Sequence, residues 1–199
     1  MNSALYLAWC HRPAEMDTLN SGSEPFVSGF PKEKKQRTWA SRFRYFLQNP
    51  SSPQSSSSRK IFHRPTLDEV NQWAKSFDCL LSHKYGQAAF SIFLKSEFCE
   101  ENLQFWLACQ EYKKTKSLSQ LRTRARSIYE EFVKSESPKE VNLDFHTKEA
   151  IAQSLQWPAL SCFYKAQQII YSLMENSSYP RFIESELYKE LCARARRHT

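Results

Sequence analysis

The chain has 199 residues, enough for one ordinary domain with flanking segments, and 41% of them are apolar, so a substantial core can be buried. Its net charge of +7 would suit nucleic acid, but the charge is confined to one segment. Nine basic residues lie between Lys32 and Arg64 against Glu33 alone, whereas 18 Lys/Arg meet 17 Asp/Glu from Pro65 onward, which excludes a basic nucleic-acid-binding domain.

Residues 1–31 read as irregular, with an apolar start that is too short and lacks the basic flank of a signal peptide. Residues 32–49 read as a basic amphipathic helix. Trp39, Phe43, Phe46 and Leu47 recur at helical spacing on one stripe, with Arg37, Arg42 and Arg44 on or beside the opposite face. Such a helix suits an anionic membrane surface, lying in the interface plane. Packing back on the domain, or serving as a calmodulin-type target, are the alternatives. Residues 50–64, with the run Ser51–Ser58, form a flexible Ser-rich linker.

From 65 to 192 the chain reads as helix after helix. Gly86 is the only glycine after residue 30, too few for the tight turns of a β-rich fold. Thr66 and Glu69 have capping-box spacing, and Val70, Trp73, Phe77, Leu80 and Leu81 continue with one helical periodicity. The stretch 82–86 breaks it, and Ala88, Ala89, Phe90, Phe93 and Leu94 start a second helix. A third follows Glu100-Glu101-Asn102: Leu103, Phe105, Trp106, Leu107, Cys109 and Tyr112 make it apolar on much of its circumference, so central and buried. Residues 118–133 predict a more polar helix. Another opens at Thr147 and closes at Trp157-Pro158. The next carries Phe163 to Met174 and breaks over 176–180. A last helix holds Phe182 to Leu191, before a basic tail at 193–199.

Enzyme signatures are missing. There is no phosphate-cradling glycine loop, no H-E-x-x-H and no G-x-S-x-G. The six cysteines are scattered without C-x-x-C spacing, which excludes a zinc cage and is expected of reduced thiols in an intracellular protein. Acids at a helix start usually stabilise its unpaired N–H groups. The cluster Glu97, Glu100, Glu101 therefore reads as a helix N-terminus or a partner-facing edge; nothing converges on it to make a metal site. Cys99 is a poor nucleophile there, because neighbouring acids disfavour its thiolate. No metal or cofactor is expected.

Ser96-Glu97-Phe98-Cys99-Glu100-Glu101-Asn102-Leu103-Gln104-Phe105-Trp106-Leu107-Ala108-Cys109 resembles the hallmark segment of regulator of G-protein signalling domains. So do residues 139–144, the stretch Ser172-Leu173-Met174-Glu175, and Ser178-Tyr179-Pro180-Arg181-Phe182. The match runs in order from about Trp73 to Cys192, and the N-terminal helix resembles that of the family's small members. The resemblance implies a nine-helix, all-α bundle that activates the GTPase of heterotrimeric G-protein α subunits without catalytic residues of its own.

It also implies an α-subunit contact surface made of Glu97, Cys99, Glu100, Glu101, Asn102, Asn142, Leu173, Ser177, Ser178, Arg181 and Glu184. Trp39, Arg42, Phe43, Arg44, Phe46 and Leu47 would meet the membrane. Most members carry aspartate where this chain has Ser177, so Arg181 lacks that orienting carboxylate. Cys99 in place of the commoner serine, and Glu184 in place of a basic residue, are shared with a member that prefers Gq-class subunits. The expected partners are therefore Gq-class α subunits above Gi-class ones, and an anionic membrane surface, with no nucleic acid. The expected location is cytoplasmic, peripheral at the inner face of the plasma membrane, with the nucleus as a second site.

Overall fold

A computed structural model describes residues 65–197; the expected irregular segment, amphipathic helix and Ser-rich linker all fall outside these residues. Every regular element among the described residues is helical: nine α-helices and two π-helical turns. Helix α1 spans Leu67–Trp73 and opens with the predicted capping box: Thr66 N–H donates to the Glu69 carboxylate at 2.7 Å, and Glu69 N–H to Thr66 Oγ1 at 3.3 Å.

The single periodicity expected over Val70–Leu81 is two helices. Helix α1 closes at Ala74; Ser76 is extended (φ −157°, ψ 150°) and its hydroxyl accepts from Cys79 N–H, so it caps α2, Phe77–Ser82. The break expected at 82–86 shrinks to His83. This residue closes α2 and caps α3 (Lys84–Ser96) through Nδ1, which accepts from Tyr85 N–H at 3.2 Å. Gly86 therefore sits inside a helix, not in a loop.

Helix α4 is Glu101–Lys113 and α5 is Leu118–Ile128, the latter running on through a π-helical turn, Tyr129–Val133. Asp144 opens α6 (Phe145–Ser154), so this helix starts two residues before the expected Thr147. It also ends before Trp157-Pro158. Helix α7, Tyr164–Leu173, does not break over 176–180 as expected. It widens into a second π-helical turn, Met174–Ser178, and continues as α8, Tyr179–Glu184. Pro180 falls in the first turn of α8, directly after the π-helical turn, a position where proline is tolerated. The true stop is Ser185, which caps α9, Glu186–Arg196.

Helix α4 is central, as its apolar circumference predicts: Leu103, Phe105, Cys109 and Tyr112 are all buried. It packs antiparallel on α7. Gln167 Nε2 donates to the Trp106 carbonyl at 3.0 Å, and further along Lys113 Nζ lies 5.6 Å from the Tyr164 ring. Tyr112 packs edge-on to Phe163 at 5.2 Å while its hydroxyl donates to the Ala159 carbonyl, so a buried phenol leaves no polar atom stranded.

A second aromatic cluster joins α2, α3 and α8: Phe90 meets Phe77 and Phe182 edge-on, each at 5.4 Å. Each fully buried Phe contributes about 1.5–3 kcal/mol by leaving water. The end of the domain returns to its beginning. Tyr188 of α9 donates to the Val70 carbonyl at 2.8 Å, and Tyr179 of α8 to the Trp73 carbonyl at 2.8 Å.

Candidate functional site

The turn between α3 and α4 is built by its backbone. Phe98 N–H donates to the Lys95 carbonyl and Cys99 N–H to the Leu94 carbonyl, the paired bonds that end a helix with one left-handed residue. That left-handed residue is Phe98, with φ 56°. Glycine normally takes this position, because a Cβ costs about 1–2 kcal/mol there. The turn sends successive side chains in different directions. Glu97 points back along the domain, Phe98 stands 95% exposed, and Cys99 tucks against the core.

Helix α4 then begins with the acids. Glu100 accepts from Lys95 Nζ at 3.2 Å. Burial raises the Glu101 carboxyl above its ordinary range; a backbone hydrogen bond opposes this and the Glu100 charge adds to it. Asn102 is only 7% exposed, its amide donating weakly (3.4 Å) to the Cys99 carbonyl and to Glu101 Oε1. The opening turn of α4 is thus a connected polar edge above Phe105.

The second segment is the passage from α7 through its π-helical turn into α8. Arg181 spans it. Its Nη1 donates to both the Ser177 carbonyl and the Ser177 hydroxyl at 2.8 Å. Its Nη2 and Nε reach the Glu97 carboxylate at 2.6 and 3.2 Å. Three residues of the expected contact surface therefore meet directly, although Glu97 and Arg181 lie 84 positions apart. Sequence reasoning found the three residues but placed Arg181 without its carboxylate. Glu97 supplies one across the fold, which spacing along the chain does not reveal. Around them Leu173 is half-buried, Ser178 is turned inward at 5% exposure, and Glu184 is exposed.

Asn142 stands on a third segment. The chain is extended between the Val141 N–H, bonded to the Phe132 carbonyl at 2.9 Å, and the Asp144 cap of α6. Val141 and Leu143 are buried, so the intervening Asn142 side chain faces out. Asp144 fixes the far side, accepting from Thr147 N–H at 2.9 Å and from Thr147 Oγ1 at 2.6 Å. These bonds hold its carboxyl below the usual range.

Phe98, exposed in the turn beside Glu97 and Cys99, was not among the expected site residues. The signal was available: an aromatic between Glu97 and Cys99 at a helix end has no apolar stripe to join. A cleft of about 280 Å³ opens between α6 and α7, lined by Ile151, Ser154, Trp157 and Cys162. It lies at the Tyr164 end of α7, away from Leu173, and includes none of these residues. Among the described residues no group of three or more His, Cys, Asp or Glu is placed to hold a metal ion.

The described residues form an all-helical scaffold that presents ordered polar turns, one of them with an outstanding aromatic. Residues 76–191, more than half of the chain, match the regulator of G protein signaling domain, and the chain belongs to that family. It is 54% identical over 138 residues to regulator of G-protein signaling 8 of Mus musculus, covering 69% of this chain and 77% of the relative. It is 54% identical over 129 residues to regulator of G-protein signaling 5 of the same species, covering 65% and 71%. To regulator of G-protein signaling 1 of Equus caballus it is 44% identical over 178 residues, covering 87% and 89%.

Proposed function

We propose that this chain accelerates GTP hydrolysis by heterotrimeric G-protein α subunits and so shortens receptor signalling. An α subunit carries its transition-state arginine in cis, so an activator need donate no catalytic group. What remains is to hold the switch loops in the geometry of the transition state, binding it more tightly than the ground state.

The observation that carries this reading is the bonding of Arg181 to both Glu97 and Ser177, which ties two contact segments together before a partner arrives. A preordered surface loses little entropy on docking. In this reading Asn102 and Asn142 supply amides toward the switch regions, and Glu97, Glu100, Glu101, Leu173, Ser177, Ser178 and Glu184 frame them. Phe98 joins the surface as its apolar anchor, because a strained and exposed aromatic is a costly feature to keep without a partner.

The finer reading is a preference for Gq-class over Gi-class subunits, resting on Cys99, Ser177 and Glu184. Recruitment is assigned to the basic helix of residues 32–49, with Trp39, Phe43, Phe46 and Leu47 in the interface and Arg42 and Arg44 toward anionic lipid. The location proposed with it is the inner face of the plasma membrane.

The test is single-turnover hydrolysis on Gq-class and Gi-class subunits side by side, together with affinity for the subunit bound to GDP and aluminium fluoride. Faster turnover and preference for the transition-state mimic are expected. Binding without either would make the chain an adaptor and end the activator reading.

A further inference from the structure

Glu97 stands among the residues expected to touch the α subunit, yet its carboxylate is already engaged. Both of its oxygens face Arg181: Nε lies 3.2 Å from each, and Nη2 lies 2.6 Å from Oε2. The remaining face of the guanidinium rests on Ser177, at 2.8 Å to its carbonyl and 2.8 Å to its hydroxyl. The planar fork of arginine matches this arrangement, and a lysine could not span it.

We infer that Glu97 is a positioning residue that acts through Arg181, a carboxylate reaching across the fold where Ser177 offers only a hydroxyl. The inference rests on the proposed activator function and deepens it by assigning a role within that surface. The physical basis is local. Ser177 lies one helical turn before Arg181, and its Oγ meets Nη1, so a carboxylate at position 177 would occupy the same place. The present serine accepts one N–H without charge, while the ionic part of the hold comes from Glu97, on a turn that belongs to another segment. Glu97 thereby links the α3–α4 turn to the π-helical turn before α8. A shift of either loop moves the other.

This predicts a compensation that direct contact does not. Glu97→Gln keeps the shape but loses the charge, and with it the charge-assisted part of the hold on the guanidinium. Single-turnover acceleration is expected to fall about tenfold. Adding Ser177→Asp should restore it to within about threefold of the starting chain, because the new carboxylate takes over the guanidinium. Arg181→Lys should reproduce the loss, and Ser177→Asp should not rescue it.

The rate of exchange between Arg181 Nη1 and Nη2 by rotation about the Nε–Cζ bond, followed by NMR on the full chain without any α subunit, reads the same hold independently of hydrolysis. It should rise in Glu97→Gln and fall again in the double variant. If Glu97→Gln leaves acceleration unchanged, or if the double variant recovers the slow exchange but not the acceleration, the positioning role is overturned and Glu97 acts elsewhere. If the unaltered chain accelerates nothing while the exchange pattern holds, the activator reading fails and the Glu97–Arg181 link stands. Should Glu97→Gln prove unfolded by thermal melting, Arg181→Lys with and without Ser177→Asp carries the test. Rescue of that variant would overturn the inference.

Discussion

Gly86 lies against the backbone of Leu80: a Cβ added to it would sit 2.5 Å from the Leu80 carbonyl oxygen and 3.0 Å from Leu80 Cδ1. The closest obstacle is main chain, so no rotamer change relieves it. Gly86→Ala should therefore destabilise the domain, although alanine favours helix by about 1 kcal/mol. The overpacking cost, about 3 kcal/mol where backbone must move, leaves a net loss of about 2 kcal/mol. A lowered urea midpoint at unchanged slope is the expected readout; a stabilised variant would contradict the close packing of α2 on α3.

Phe98 should show opposite signs for stability and binding. Phe98→Gly relieves the left-handed strain, an effect of about 1 kcal/mol after the extra freedom glycine gives the unfolded chain. The same change removes an exposed aromatic from the proposed contact surface, so affinity for the transition-state complex should fall at least tenfold, as for an interface anchor. Thermal unfolding and titration on one preparation check both. Loss of stability together with intact binding would refute the assignment of Phe98.

Asn142 is free of a packing role, since its side chain faces out between buried Val141 and Leu143. Asn142→Ala should change stability by less than about 0.5 kcal/mol. Acceleration should fall roughly tenfold or more if its amide serves the transition state. Lys114→Ala, at the far end of α4 and paired with Glu111 at 2.6 Å, is the control that should change little. Equal effects from the two variants would contradict the proposed surface.

Burial holds the Glu101 carboxyl above its ordinary range. The folded state then binds this proton more tightly than the unfolded chain does. The cost of the charge is absent below the unfolded value of 4.5 and sets in as pH rises through the folded one. Glu101→Gln should accordingly melt higher than the parent at pH 7, with the gap closing at about pH 3. Its acceleration should drop, the pattern of a residue kept for function at the expense of stability. A variant that melts lower at pH 7 would reverse the sign.

Deleting residues 1–58 should weaken binding to vesicles containing anionic lipid while leaving acceleration in solution intact. Loss of acceleration as well would mean that this segment acts within the domain.

Helix existence was readable because apolar spacing reports a buried stripe, and α4 was recognisable as central for that reason. Boundaries were less readable where one residue serves two helices. His83 and Ser185 each close one element and open the next, and the apolar period crosses them without interruption. Residues 176–180 looked like a stop because serine, asparagine and proline favour turns. Packing carried the helix through by widening it, and Pro180 fell where it is tolerated.

The site was half legible for a related reason. The family resemblance picks out Glu97, Ser177 and Arg181, whereas their meeting depends on α3, α7 and α8 converging in space. The left-handed turn at Phe98 was hidden because glycine usually marks such a position, and no glycine stands there.

The bond from Tyr188 to Val70 joins residues 118 positions apart, and with the Tyr179–Trp73 bond it makes α1 dependent on the last helices. During synthesis at about 5–20 residues per second, α1 leaves the ribosome roughly 6–24 s before α9. For that interval Val70 and Trp73 lack their final covering, and their apolar face is open to chaperones. The domain is thus completed only once α9 has emerged, and its yield in the cell depends on how the nascent chain is held meanwhile.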